Sequence, residues 1–140
     1  MVKKNKHDKI SLVMHDGAWD KVNYGLSIAV AALSSGKEVH AMFTYGALKR
    51  LIKGRADEMG GETSEEIRNR LQGGAFKGKL ATNLELLRIG SQMGLKIYAC
   101  PAAMAVLGIS REQLIPEADS VVGLMGFLEI SLGSSLTYYI

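Results

Sequence analysis

Strand-length apolar runs alternate with amphipathic stretches of helical period along this chain, and that alternation limits the possible folds more than any other feature. Residues 9–15, 38–44 and 95–99 are apolar runs of strand length. Between the first two, Val22, Leu26, Ala29, Val30 and Leu33 share one helical face that ends at Gly36. Gly46 opens a short helix through about Ile52. Thr82 and Glu85 form a capping box for a helix that runs to Met93 and stops at Gly94. A further helix ends at Gly108, and Ser110 with Gln113 reads as a short capped turn. Residues 120–123 read as a brief buried strand, 126–132 as helix and 135–140 as a β-prone terminal strand. This order predicts βαβ units: a single α/β three-layer domain with a mostly parallel sheet of about five strands flanked by helices. At 140 residues the chain can bury one core but not two.

Residues 53–81 break the rhythm. They are glycine-rich and poor in apolar side chains, and they carry a capping box of their own from Thr63 to Glu66. They are expected to form an excursion arm with a short helix near 64–72, partly mobile and serving as a lid or an interface. Cations gather around it: Lys49, Arg50, Lys53, Arg55, Arg68, Arg70, Lys77 and Lys79. Asp57, Glu58, Glu62, Glu65 and Glu66 are interleaved with them, and Phe76 is the one aromatic there. With a net charge of only +3, this favours a solvated or oligomer-facing arm over a nucleic-acid surface.

Several chemistries lack their motifs. A single cysteine makes no internal disulfide and fits a reducing cytoplasm. The basic residues 1–6 are not followed by an apolar stretch, so no signal peptide is expected. The longest apolar segments are strand-length or broken by glycine and charge, so no membrane-spanning helix is expected. There is no C-x-x-C, no GxxxxGK[ST] and no GxGxxG. The loop His15-Asp16-Gly17-Ala18-Trp19-Asp20-Lys21 lacks the Ser/Thr-rich phosphate cradle of a flavin site. One cysteine and scattered histidines build no closed zinc site, so no metal and no organic cofactor is expected.

The single cysteine, Cys100, closes an apolar run and is followed at once by Pro101 and an Ala/Met-rich helical run. Proline suits the first position of a helix, which places Cys100 at or next to the N-cap. Free N–H groups and the positive dipole end stabilise an anion there, and a thiolate is one. In open parallel sheets, ligands bind beyond the carboxyl ends of the strands. That rule gathers His15, Asp16, Trp19, Tyr45, Pro101, Ala102, Met125 and Gly126 around Cys100 as a possible pocket. His15 reads as a base or orienting partner, or as an ordinary strand-end histidine. Asp16 reads rather as a cap of the first helix or its preceding turn, and Trp19 as pocket wall, interface or core. Tyr45 offers a hydroxyl, although an ordinary strand-end tyrosine fits as well. Met104 and Met125 suit packing. His40 lies inside a strand and His7 in the N-terminal tract, so neither is a strong candidate.

The segment from Leu95 through Cys100-Pro101-Ala102-Ala103-Met104 to Leu107-Gly108-Ile109 resembles the DsrE/DsrF-like proteins, small α/β domains linked to sulfur relay and related to the TusBCD type. The opening strand and helix and the closing Val122–Glu129 stretch share in the resemblance. It implies a DsrE/F-like, flavodoxin-like layering. It also implies a sulfur carrier or sulfurtransferase in which Cys100 holds sulfane sulfur as a persulfide or thiosulfonate and passes it to a TusA-like or rhodanese-like partner. A homo-oligomer follows from it too, trimer first and hexamer next. The alternative is a non-catalytic small-ligand or protein-binding module with a structural Cys100. A one-cysteine peroxide reductase is weaker, because no Thr-x-x-Cys motif precedes Cys100.

Overall fold

Five parallel strands pair in the order β4-β3-β2-β1-β5 in this computed structural model, which describes residues 8–74 and 77–140. They are β1 (Lys9–Met14), β2 (Glu38–Phe43), β3 (Lys96–Ala99), β4 (Ser120–Val121) and β5 (Leu136–Tyr139). The basic tract 1–7 with His7, and Phe76, lie outside the described residues. The helices are α1 (Trp19–Ser34), α2 (Tyr45–Leu48), which runs on into a tighter turn at Lys49–Leu51, α3 (Glu65–Gln72), α4 (Asn83–Gln92), α5 (Pro101–Leu107) and α6 (Leu124–Ser131).

The pleat divides each strand between two faces. Ile10, Leu12, Met14, Val39, Ala41, Phe43, Ile97 and Ala99 share the face covered by α1 and α4, and none is more than 4% exposed. Each large side chain buried there stabilises the fold by about 1.5–3 kcal/mol. The opposite face is more polar and is crossed by α6 over β1 and β2. Phe127 buries its ring under α6, edge-on to Tyr98 at 5.9 Å. The polar groups on this face find partners. Lys9 Nζ donates to the Ile130 and Leu132 carbonyls at the end of α6, where a cation also suits the helix dipole. Ser11 and Ser134 share a hydrogen bond of 2.7 Å. His40 sits between Glu38, at 2.5 Å, and the Tyr98 hydroxyl, at 2.7 Å.

Helix limits follow the local signals closely. The Thr82–Glu85 capping box forms on α4, and Gly108 ends α5 at φ 65°. Two readings are corrected. The last helix begins at Leu124, two residues earlier than its pattern suggests, because Gly123 takes the extended cap conformation. The capping box from Thr63 to Glu66 does not form. The Thr63 hydroxyl instead accepts the Trp19 N–H at 3.0 Å, and Ser64 caps α3 through the Ile67 N–H. The α1 N-cap is Ala18, which has no side-chain acceptor. An unpaired buried N–H at that end would cost more than a change of cap on exposed α3.

The first half of the arm is built on two side chains. Arg50, one of the cations expected on a solvated or oligomer-facing arm, is only 2% exposed within the chain itself. Its Nη1 donates to the Arg55 and Glu58 carbonyls and its Nη2 lies 3.4 Å from Glu62. Asp57 accepts three N–H groups: the Trp19 indole at 2.9 Å, Asn83 at 2.8 Å and Leu84 at 3.2 Å. The arm therefore ties the start of α1 to the start of α4.

Candidate functional site

Cys100 is the residue between β3 and α5. Its N–H still donates to the Phe43 carbonyl as a strand residue would, while its carbonyl accepts the first helical bond, from Met104. Its backbone is extended (φ −80°, ψ 117°), and Pro101 follows at the first helical position. A locked φ and a missing N–H suit that position, which is why the chain turns into helix here. Strand alternation puts the Cys100 side chain on the face of Tyr98, the face of α6. On the neighbouring strand, the Val122 N–H donates to the Ala99 carbonyl and Gly123 caps α6. The thiol thus stands at the N-terminus of its own helix and beside the strand from which α6 starts. Neither helix has a side-chain hydrogen bond at its cap. Their first-turn N–H groups and dipole ends favour negative charge on this edge.

The register identifies a neighbour that the sequence reading missed. Phe43 pairs with Ala99 and Met14 with Phe43, so the next row reads Cys100, Thr44, His15 across three strands. Thr44 is buried, at 9% exposed, as is Cys100. Strand pattern alone could not have found it, because adjacency of Thr44 and Cys100 depends on which strands pair and in what register.

Two loops are locked together at this edge. A Cβ on Gly17 would lie 2.5 Å from the Gly46 carbonyl oxygen, and one on Gly46 would lie 2.7 Å from the Gly17 nitrogen. The Ala47 N–H donates to the His15 carbonyl at 3.0 Å. Between these contacts Tyr45 takes φ 43°, the one positive φ at a non-glycine among the described residues. Strain of this kind costs on the order of 1 kcal/mol and persists only where surrounding structure imposes it. The outcome is an exposed aromatic group: the His15 ring lies 5.5 Å from that of Tyr45 and 5.8 Å from that of Tyr139.

The other expected pocket residues divide. Pro101 and Ala102 are exposed on the first turn of α5, and Met125 is 83% exposed on the first turn of α6. Gly126 is half-buried, with Val122 Cγ1 3.0 Å from where its Cβ would stand. Asp16 makes a turn: its Oδ1 accepts the Ala18 N–H at 2.8 Å and its Oδ2 pairs with Lys21 at 3.0 Å. Those bonds, the backbone one foremost, hold its carboxyl below the usual range. Trp19 is buried and faces a separate cavity beside Asp57. His40 is built into the polar face. The hydrogen bond from its ring lowers the Glu38 carboxyl, and burial pushes the Tyr98 phenol up. Among the described residues, no group of three or more His, Cys, Asp or Glu side chains is placed to hold a metal ion. Nor is any helix long and apolar enough to cross a membrane.

No protein-family model matches this sequence, and no curated protein matches it. Solved structures do. The YchN protein from E. coli superposes with a TM-score of 0.69 at 14% identity, covering 95% of this chain and 99% of that one. MTH1491 from Methanobacterium thermoautotrophicum, described as a protein of unknown function, gives a TM-score of 0.63 at 12% identity, with coverages of 94% and 98%. The architecture, a five-stranded parallel sheet flanked by helices, is the α/β fold of these two proteins, and at such identities the likeness extends to the fold alone.

Proposed function

We propose that this protein is a sulfur carrier that holds sulfane sulfur on Cys100 and passes it to the thiol of a TusA-like or rhodanese-like protein. The observation that carries the reading is the position of Cys100, at a strand-to-helix junction with a second helix starting on the adjacent strand. Loading on thiosulfate breaks one S–S bond and forms another: the Cys100 thiolate takes the outer sulfur as a persulfide and sulfite leaves with the electron pair. Loading on tetrathionate leaves a thiosulfonate on Cys100 and releases thiosulfate. Delivery of a persulfide is attack by the partner's thiolate on its outer sulfur, which frees the Cys100 thiolate. Every species held on Cys100 is anionic, and the uncapped N–H groups beside it suit that charge.

Intact-protein mass after exposure to thiosulfate, tetrathionate or polysulfide tests this. A reducible adduct is expected on the wild type and none on Cys100→Ser. One observation favours the alternative of a non-catalytic binding module: Cys100 is only 9% exposed. On that reading the wild type gains no adduct and resists alkylation while folded, and this outcome removes the carrier proposal.

Assembly into a homo-oligomer, trimer first, belongs to the same proposal. Leu124, Met125, Leu128 and Leu132 at α6, with Leu136 and Tyr139 on edge strand β5, are each between 49% and 83% exposed. Apolar groups so exposed on contiguous elements suit a subunit contact. Light scattering is expected to report three chains or a multiple of three, and a monomer at all concentrations removes this part.

A further inference from the structure

Thr44 follows β2 and is the N-cap of α2, the position where a threonine hydroxyl ordinarily accepts an N–H from the first helical turn. Here it accepts none. The Ala47 N–H, third in that turn, donates to the His15 carbonyl at 3.0 Å instead. Tyr45, at φ 43°, also lacks the helical backbone of a normal first residue. No other hydrogen bond engages the Thr44 hydroxyl among the described residues, although Thr44 is only 9% exposed. A hydroxyl placed in this way costs stability that a valine of the same shape would not.

The backbone aims that hydroxyl at the thiol. Thr44 (φ −134°, ψ 155°) and Cys100 (φ −80°, ψ 117°) are both extended, so strand alternation holds through each and the register sets them side by side on one face. Neighbouring strands lie about 4.8 Å apart, which a turn of the threonine about χ1 spans. The Cys100 thiol has no hydrogen-bond partner of its own among the described residues. Nor do the elements around it bring a charged side chain. α5 opens with Pro101 and Ala102, and α6 with Leu124 and Met125. The titratable neighbours are Tyr98, whose hydroxyl is taken by His40, Tyr45 at the start of α2, and His15 one strand beyond Thr44. We propose that Thr44 is a positioning residue for Cys100, its hydroxyl donating a hydrogen bond to the thiolate. The role rests on the reading of Cys100 as a sulfur carrier. The bond raises the share of thiolate ready for loading, and it stabilises the same thiolate as it leaves on delivery to a partner.

The test is a pH titration of the full chain, reading the ultraviolet absorbance of the thiolate. Each protein is measured against its own Cys100→Ser counterpart, so that tyrosine ionisation cancels. Thr44→Val keeps the shape and removes the donor, and its thiolate midpoint is expected about one unit above the wild type. Thr44→Ala is expected to move the midpoint in the same direction and supplies the result if the valine variant does not fold. Thr44→Ser restores the donor and is expected to return the midpoint to the wild-type value, which a purely structural role for the hydroxyl would not require. A midpoint unmoved by valine or alanine overturns the proposal. A serine variant that titrates with the valine variant overturns it too, because the methyl group and not the hydroxyl would then matter. Sulfur loading is scored separately by mass. A shifted midpoint in a protein that gains no adduct removes the carrier reading and leaves the hydrogen bond standing. An adduct with an unmoved midpoint keeps the carrier and removes Thr44 from it.

Discussion

Arg50→Ala is expected to destabilise the domain by about 3–5 kcal/mol, a large share of the roughly 5–15 kcal/mol that holds an ordinary domain folded. Its guanidinium is 2% exposed and reaches the carbonyls of Arg55 and Glu58 and the carboxylate of Glu62. Truncation leaves a void of side-chain size, two carbonyls without their donor and an acidic group without its cation. Arg50→Met separates these effects, because it refills most of the volume and restores none of the hydrogen bonds. Urea unfolding is expected to place Met between Ala and the wild type. Limited proteolysis is expected to cut residues 53–63 first in both variants, since the carbonyls of that stretch lose the group that gathers them. A loss under about 1 kcal/mol for Arg50→Ala would show that water replaces the guanidinium without penalty.

Asp57→Ala is the second large effect, expected at about 3 kcal/mol. A melting point lower by about 10 °C corresponds to it in a domain of this size. The carboxylate joins three elements: it caps α4 through the Asn83 and Leu84 N–H groups and fixes Trp19 at the start of α1. Alanine removes every acceptor at once and leaves the indole N–H of a buried ring unpaired. Asp57→Asn keeps one acceptor oxygen and is expected to recover part of the loss. Trp19 emission supplies an independent readout, shifting to the red in Asp57→Ala at native temperature as the ring loosens. An unchanged spectrum with unchanged stability would mean that the three contacts are not worth their burial.

Both predictions concern a segment whose sequence is the least regular in the chain, and this shows what was legible. Strands and helices could be read because their signals are local. The apolar run of β1, the helical face from Val22 to Leu33, the Thr82–Glu85 box and the glycine after α5 each act within a few residues of themselves. Cys100 at a strand-to-helix junction was legible for the same reason, since Pro101 and the run before it are its immediate neighbours. Arg50 was grouped with the cations of a solvated or oligomer-facing arm, because nothing next to it in sequence shows that residues 55–62 fold back over it. Trp19 had three open readings, and the deciding contacts came from Thr63 and Asp57, 44 and 38 residues away.

The sequence by itself determined the kinds of element, their approximate limits, the α/β class and the place of the one thiol, because helix period, strand alternation and capping are short-range physics. The tertiary structure alone decided that β5 pairs with β1 at the opposite edge from β4, that Thr44 stands beside Cys100, and that Gly17 meets Gly46 backbone to backbone. It also decided that the Thr63 hydroxyl serves α1 instead of its own helix. Each of these depends on which distant groups would otherwise be buried without a partner, and that balance exists only once the whole chain is packed.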